Sequence, residues 1–405
     1  MINEAWKRNF VGNDCFILHK KQSYLASDLR RWNKEVFGHV QSRIVEFTRN
    51  IEKIQMEDPT EANGIEEAKL QTGLNTWLSR NETTWRQKSR ETWMKEGDRN
   101  SNFFHISSVV RRTRNNIDAI RGDDNVWIVK ISEIRDFVVE KFQDLFTVKE
   151  ICCPADLSDL IYSTISNGEN DSLCQIPSLR EIKNVIFGMQ SLKSPGPNGL
   201  PPLFYKKYWH VVGYSVIRAV RNFFILGKMI KEFNYSYIVL IPKILNPSSI
   251  NHYRSISLCN TIYKVISKLL VDRLRVVIPN LVSPAQSAFI QDRWITENQL
   301  IIQEILHSFK KRKVKGGFVA MKLDLQKAYD RVNWGFLKLV LHHFGFSPIF
   351  IGWIMDCVSS VPFSILVNGG ITKKFFPTRG LCQGDPLSPY LFTLGQEVLS
   401  RLIER

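Results

Sequence analysis

The sequence predicts an α+β protein, with a helical N-terminal region followed by a longer region of mixed helices and strands. Three observations lead there. Apolar residues recur at three- and four-residue steps from 20 to 57 and again from about 66 to 96, the spacing of helices with one apolar face. Short β-prone runs around a Gly-Asp-Asp-Asn turn break that pattern after residue 111. From 179 onward, strand-like and helix-like patterns alternate to the end of the chain.

In residues 20–57 the apolar set is Leu25, Leu29, Trp32, Val36, Val40, Ile44, Phe47, Ile51 and Ile54, which predicts one long helix. Such a helix serves either as an arm for a partner or as an ordinary element packed on its neighbours. Asp58-Pro59 ends it, because proline disfavours helix in the residue before it. In the second helical stretch Trp77, Trp85 and Trp93 are eight apart and drift only slowly around one face, as core residues or as stacking platforms for bases. The run RRTRNNIDAIRGDDNVWIV reads as a small hairpin, and Ile134 to Phe146 returns to helical spacing. Residues 150–178 are turn-rich and locally acidic, the pattern of a linker. There is no internal repeat and no low-complexity tract.

The net charge of +16 and a pI near 9.5 favour a polyanionic partner, nucleic acid or an anionic membrane surface. The membrane option is the weaker. The most apolar stretch, Ile349 to Val367, is interrupted by Asp356, Ser359, Ser360 and Pro362 and reads as buried core, and MINEAWKRNF lacks the apolar run of a signal peptide. Seven cysteines are scattered without a C-x-x-C pair, and Cys152-Cys153 are adjacent. That pattern suits neither a zinc site nor a disulfide framework and points to a reducing, intracellular setting.

Two segments carry chemistry. In FVAMKLDLQKAYD, Phe318, Ala320, Lys322 and Asp324 alternate with Val319, Met321 and Leu323, which predicts a short strand ending in a carboxylate. A helix follows, with Val332, Phe336, Leu337, Val340, Leu341 and Phe344 on one face and Asp330 or Asn333 placed to start it. An aspartate at such a turn is either a metal ligand or a helix cap. In the second segment, Asn368-Gly369-Gly370 between β-prone runs predicts a hairpin. TRGLCQGDPLSPYL then leads into a helix with Leu387, Leu391, Leu394, Val398 and Leu402 on one face. Gly380 and Gly384 permit close backbone approach, for a phosphate, for a base pair, or for a purely structural turn.

K-L-D-L-x-K-A-Y-D-R-V followed by R-G-L-x-Q-G-D-P-L-S-P resembles the reverse transcriptases of non-LTR (LINE-type) retrotransposons, the copies in flowering-plant genomes above all. Five further segments resemble the same family in the same order: WRQKSRETWMKEGDRNSNFFH (85–105), SLKSPGPNGLPPLFYKKYW (191–209), LIPK (240–243), YRSISLCNTIYKVISKLLVDRL (253–274) and QSAFIQDRWITENQL (286–300). The resemblance implies a right-hand polymerase fold. Residues 1–110 would be a helical region linking an endonuclease to the polymerase, 111–178 a small mixed segment and linker, 179–315 the fingers and 316–405 part of the palm. It implies that Asp324 binds catalytic Mg2+ with the Leu325 carbonyl as a further ligand, since magnesium takes carboxylate, carbonyl and phosphate oxygens. Tyr329 would exclude a ribose 2′-OH, Lys243 and Arg254 would hold the incoming triphosphate, and Gln383 and Gly384 would pack on the nascent base pair. Expected partners are an RNA template, a DNA primer and deoxynucleoside triphosphates, with no membrane; the family copies its RNA in the nucleus.

Departures qualify that reading. The family's remaining metal carboxylates come from a Tyr/Phe-Ala-Asp-Asp hairpin downstream of the second segment. The sequence is therefore expected to be an incomplete copy without polymerase activity by itself, because two metals about 3.5–4 Å apart need more than one carboxylate. Asp330 is expected to face the helix start and Asp385 to cap its helix. Asn198 replaces a usual aspartate, Ser255 a usual proline and Cys382 a commonly basic residue. The alternatives to an RNA-directed DNA polymerase are a non-catalytic nucleic-acid-binding remnant, with Lys310-Lys311-Arg312-Lys313 in its basic cleft, and a domesticated helical interaction module.

Overall fold

A computed structural model describes residues 2–89, 101–148, 156–311 and 316–405. Two compact units divide the chain. The first comprises Met1–Arg8, Lys21–Asp118 and Ile244–Asn246, and the second Asn9–Lys20, Ala119–Lys243 and Pro247–Arg405. No helix among the described residues is long and apolar enough to cross a membrane.

Helices dominate the N-terminal part: α1 (Ile2–Lys7), α2 (Asp14–Trp32), α3 (Val40–Gln55), α4 (Glu61–Ser89) and α5 (Ser101–Asn115). The single helix expected over 20–57 is in fact two. A π-helical turn, Asn33–Phe37, ends at Gly38, whose φ of +66° is open to glycine and costly for other residues. The apolar spacing runs on through this break, which is why periodicity alone concealed it. Trp77 packs against Phe37 with ring centroids 5.2 Å apart and under Arg80, while Trp85 meets His105 edge-on at 4.4 Å. Trp93 lies outside the described residues, as do Arg312 and Lys313 of the basic run.

In the second unit β1 (Ile120–Arg121) and β2 (Trp127–Ile128) form the expected hairpin, with Asn125 at φ +63° in the turn. Helices α6 (Ile131–Leu145), α7 (Asn167–Leu173) and α8 (Leu179–Gly188) follow. Both α7 and α8 begin with reciprocal capping boxes, Ser166 with Glu169 and Ser178 with Glu181. Then come α9 (Pro202–Lys207), α10 (Trp209–Leu226) and α11 (Lys231–Asn234), with α10 stopped by left-handed Gly227.

The central sheet is built from β3 (Ser236–Pro242), β4 (Tyr253–Leu258), β5 (Phe363–Val367) and β6 (Gly370–Ile371), in the order β4-β3-β5-β6. β3 pairs antiparallel with β4, setting Ile241 opposite Arg254 and Leu240 opposite Ser255, and parallel with β5, setting Ser236 opposite Phe363. The β5–β6 hairpin turns at Asn368 and Gly369, both at positive φ, as Asn-Gly turns require. Helix α12 (Thr261–Leu281) is the core helix of this unit, buried at Ile262, Val265, Ile266, Leu269, Leu270 and Leu274 among others, which fits an apolar helix with little polar face. After α13 (Ile295–Lys311) come α14 (Trp334–His343), α15 (Pro348–Ser359) and α16 (Ser388–Glu404). The faces read from the sequence are the buried ones: Leu337, Val340 and Leu341 on α14, and Leu391, Leu394 and Val398 on α16. Leu402, at the end of α16, is exposed.

One strand is missing from its expected place. Phe318–Asp324 has no regular secondary structure and joins no sheet among the described residues, and Val319 and Met321 are each 85% exposed. Period-two alternation prepares a segment for a sheet, but a strand needs a partner to take its backbone groups.

Candidate nucleotide-binding site

A cavity of about 140 Å³ lies where the β3–β4 pair meets the turn after residue 326. It is lined by Lys243, Tyr253, Arg254, Ser255, Lys327, Tyr329, Asp330 and Gln383, with Phe142 of α6 closing one side. Four residues singled out from the sequence for triphosphate, sugar and template contacts, Lys243, Arg254, Tyr329 and Gln383, therefore meet around one space, although Lys243 and Gln383 are 140 residues apart. Lys243 follows β3, and its backbone N–H continues the ladder to the His252 carbonyl at 2.8 Å. Its ammonium donates to the Asn251 carbonyl at 3.2 Å. Arg254, on edge strand β4, is exposed, and its neighbour Ser255 faces inward, as strand alternation demands.

The turn and the glycine loop are fastened to each other. The backbone N–H of Leu381 donates to the Tyr329 carbonyl and that of Gly380 to the Val332 carbonyl, both at 2.8 Å. The Ser257 N–H reaches the Gln383 carbonyl at 2.7 Å, binding the loop to β4. On the other side Thr378 and Arg379 donate to the Phe146 carbonyl. Tyr329 is half-buried and stacks on Phe392 of α16, ring centroids 4.9 Å apart and 17° from parallel. This stacking fixes the phenol ring as a rigid wall. Gly384, at φ +110°, lies over β4, where a Cβ would come 3.2 Å from the Ser257 carbonyl.

Asp385 is not the helix cap expected of it. It is buried beneath the loop and accepts from Tyr263 at 3.2 Å, from Ser388 at 3.3 Å and from Ser267. Burial holds its carboxyl above the usual aspartate range, against these donors. Asn333, not Asp330, caps α14, accepting from the Phe336 N–H at 3.0 Å.

Asp324 and Leu325 stand apart from the cavity. Both are exposed on this irregular segment, and neither lines the space that gathers the other four residues. Among the described residues no three histidine, cysteine, aspartate or glutamate side chains are grouped to hold a metal. Asp324 supplies one carboxylate on that segment.

The sequence motifs assigned no part in the site to Asp330, Ser255, Lys327 or Phe142. Asp330 is 7% exposed, and both its oxygens accept from the Ser255 hydroxyl, at 3.3 and 3.4 Å. Burial lifts its carboxyl from the ordinary 3.8 to about 6, opposed by the charges of Lys327, Lys243 and Arg331 and by the Ser255 hydrogen bond. A carboxyl whose folded value is raised contributes stability that is complete below pH 4 and is lost as pH rises through 6. The difference amounts to about 3 kcal/mol. Asp330→Asn is expected to remove this decline between pH 4 and 7, so that the variant gains on the native chain as pH rises. Denaturant titrations across that range test it, and parallel curves would refute the burial argument.

Residues 241–405 match the family described as reverse transcriptase (RNA-dependent DNA polymerase). An uncharacterized 149 kDa protein of transposon TX1 from Xenopus laevis is 28% identical over 320 residues, 78% of this chain and 24% of its own length. The Pol polyprotein of the type-2 retrotransposable element R2DM from Drosophila melanogaster is 27% identical over 211 residues, 52% of this chain and 19% of its own length. A Pol polyprotein of the type-1 element R2 from Popillia japonica is 34% identical over 100 residues, 24% of this chain and 16% of its own length. The chain thus spans about a quarter or less of these relatives. Taken with the cavity and the ordered motifs around it, these likenesses identify the chain as carrying a reverse transcriptase domain of the non-LTR retrotransposon kind.

Proposed function

We propose that this domain holds a deoxynucleoside triphosphate against a primer–template and serves RNA-directed DNA synthesis. The observation that carries the reading is the convergence of Lys243, Arg254, Tyr329 and Gln383 on one cavity from four separate sequence segments. In this reading residues 179–315 act as fingers and 316–405 as part of a palm. Arg254 contacts phosphate oxygens through its forked guanidinium and Lys243 as a point charge. Tyr329, held flat on Phe392, occupies the space a ribose 2′-OH would need. Gln383 and Gly384 offer backbone to the nascent pair. Asp324 and the Leu325 carbonyl supply the oxygens that would help hold a divalent metal, which would supply charge stabilisation at the phosphates; binding is the property to test first in this chain.

The net charge of +16 predicts binding dominated by released counterions. Affinity for an RNA–DNA hybrid is expected to fall roughly ten- to a hundredfold between 50 and 200 mM salt, the range for a few phosphate contacts. Fluorescence anisotropy with a labelled hybrid measures it. An affinity that stays level across that range would overturn the nucleic-acid reading.

A further inference from the structure

The cavity contains a cation to which neither the sequence motifs nor the family likeness gives a task. Lys327 stands at φ +52°, a left-handed backbone that lysine rarely adopts, and this bend turns the chain from the exposed segment back into the cavity. Its ammonium is half-buried, 6.0 Å from the centre of the Phe142 ring. Among the described residues it makes no hydrogen bond or ion pair. Two further cations, Lys243 and Arg254, line the same cavity. A partly desolvated cation among other cations is costly unless an anion joins it.

The one carboxylate at hand does not take that place. Asp330 lies in the same wall, but its carboxylate is oriented toward β4 by the single Ser255 O–H, shared between its two oxygens. It attracts Lys327 without forming an ion pair with it. The cavity, at about 140 Å³, is smaller than the roughly 300–1,000 Å³ of sites that enclose a whole ligand. It suits the phosphate tail of a ligand whose remainder lies outside. We propose that Lys327 is a third cationic contact for the triphosphate, and that Asp330 and Ser255 are positioning residues that keep its ammonium turned into the cavity and uncaptured. This rests on the triphosphate reading above and gives it a residue particular to this wall. It also gives Ser255, where the family usually has proline, a task in this chain.

The test is calorimetric titration of the full chain with inorganic tripolyphosphate and, separately, with dTTP. Lys327→Met and Lys327→Gln are each expected to weaken both probes about tenfold, the loss of one charge-assisted contact, with Lys327→Arg recovering much of it. Ser255→Ala frees Asp330 to pair with Lys327 and is expected to weaken the same probes severalfold, an effect that disappears when Lys327 is already methionine. Binding that Arg254→Ala abolishes but both neutral Lys327 variants leave intact would overturn the assignment alone. If the native chain binds neither probe, the triphosphate reading falls and this assignment with it. A Ser255→Ala effect that persists undiminished without Lys327 would remove the positioning role.

Discussion

Gly380→Ala is expected to lower the unfolding free energy by about 3–5 kcal/mol and to abolish triphosphate binding. Gly380 sits at φ +99°, which costs a non-glycine residue about 1–3 kcal/mol. A methyl group there would also stand 2.7 Å from the Phe146 ring and 2.8 Å from the Asp330 carbonyl. The ring could shift, but the carbonyl belongs to the turn that carries Tyr329, so relief of the clash pulls the glycine loop off the cavity wall. Overpacking of this kind typically adds about 1–3 kcal/mol. Chemical denaturation gives the first quantity and calorimetry with dTTP the second. A variant of native stability that still binds dTTP would show that the loop is not held as described.

Asp385→Leu is expected to cost roughly 3–5 kcal/mol, whereas Asp385→Asn stays within about 1.5 kcal/mol of the native chain. Leucine leaves the hydroxyls of Tyr263, Ser267 and Ser388 without the acceptor they share, and each buried orphan costs about 1–3 kcal/mol. Asparagine keeps an acceptor oxygen and brings no charge into a site whose burial already disfavours one. Urea titrations of both variants settle the order. Equal destabilisation would mean that the negative charge, and not the hydrogen-bond acceptor, holds the loop above it.

What could be read from the sequence was whatever repeats locally. The faces of α14 and α16 and the Asn368-Gly369 hairpin follow from spacing and turn chemistry, which neighbours in sequence determine. That Lys243, Arg254, Tyr329 and Gln383 would share one neighbourhood was legible because each stands in a recognisable motif. Lys327 and Asp330 stand in the same motif as Tyr329, but their importance depends on Ser255 and Phe142, which belong to distant segments and acquire meaning only through packing. Phe318–Asp324 fails in the opposite way. Its alternation is plain, yet alternation cannot supply the strand that would pair with it. Gly38 was concealed because a lone glycine leaves the apolar spacing undisturbed on both sides.

The parallel pairing of β3 with β5 has a kinetic consequence. It joins Ser236–Val239 to Phe363–Leu366, so the sheet beneath the cavity cannot close until a very long loop has been drawn in. During synthesis Arg254 leaves the ribosome roughly 6–26 s before Gln383, at about 5–20 residues per second. Through that interval β3 and β4 can pair as a hairpin while their other edge waits uncovered. The cavity is therefore among the last parts of this unit to assemble, and a ligand bound there would act on the rate of unfolding far more than on the rate of folding.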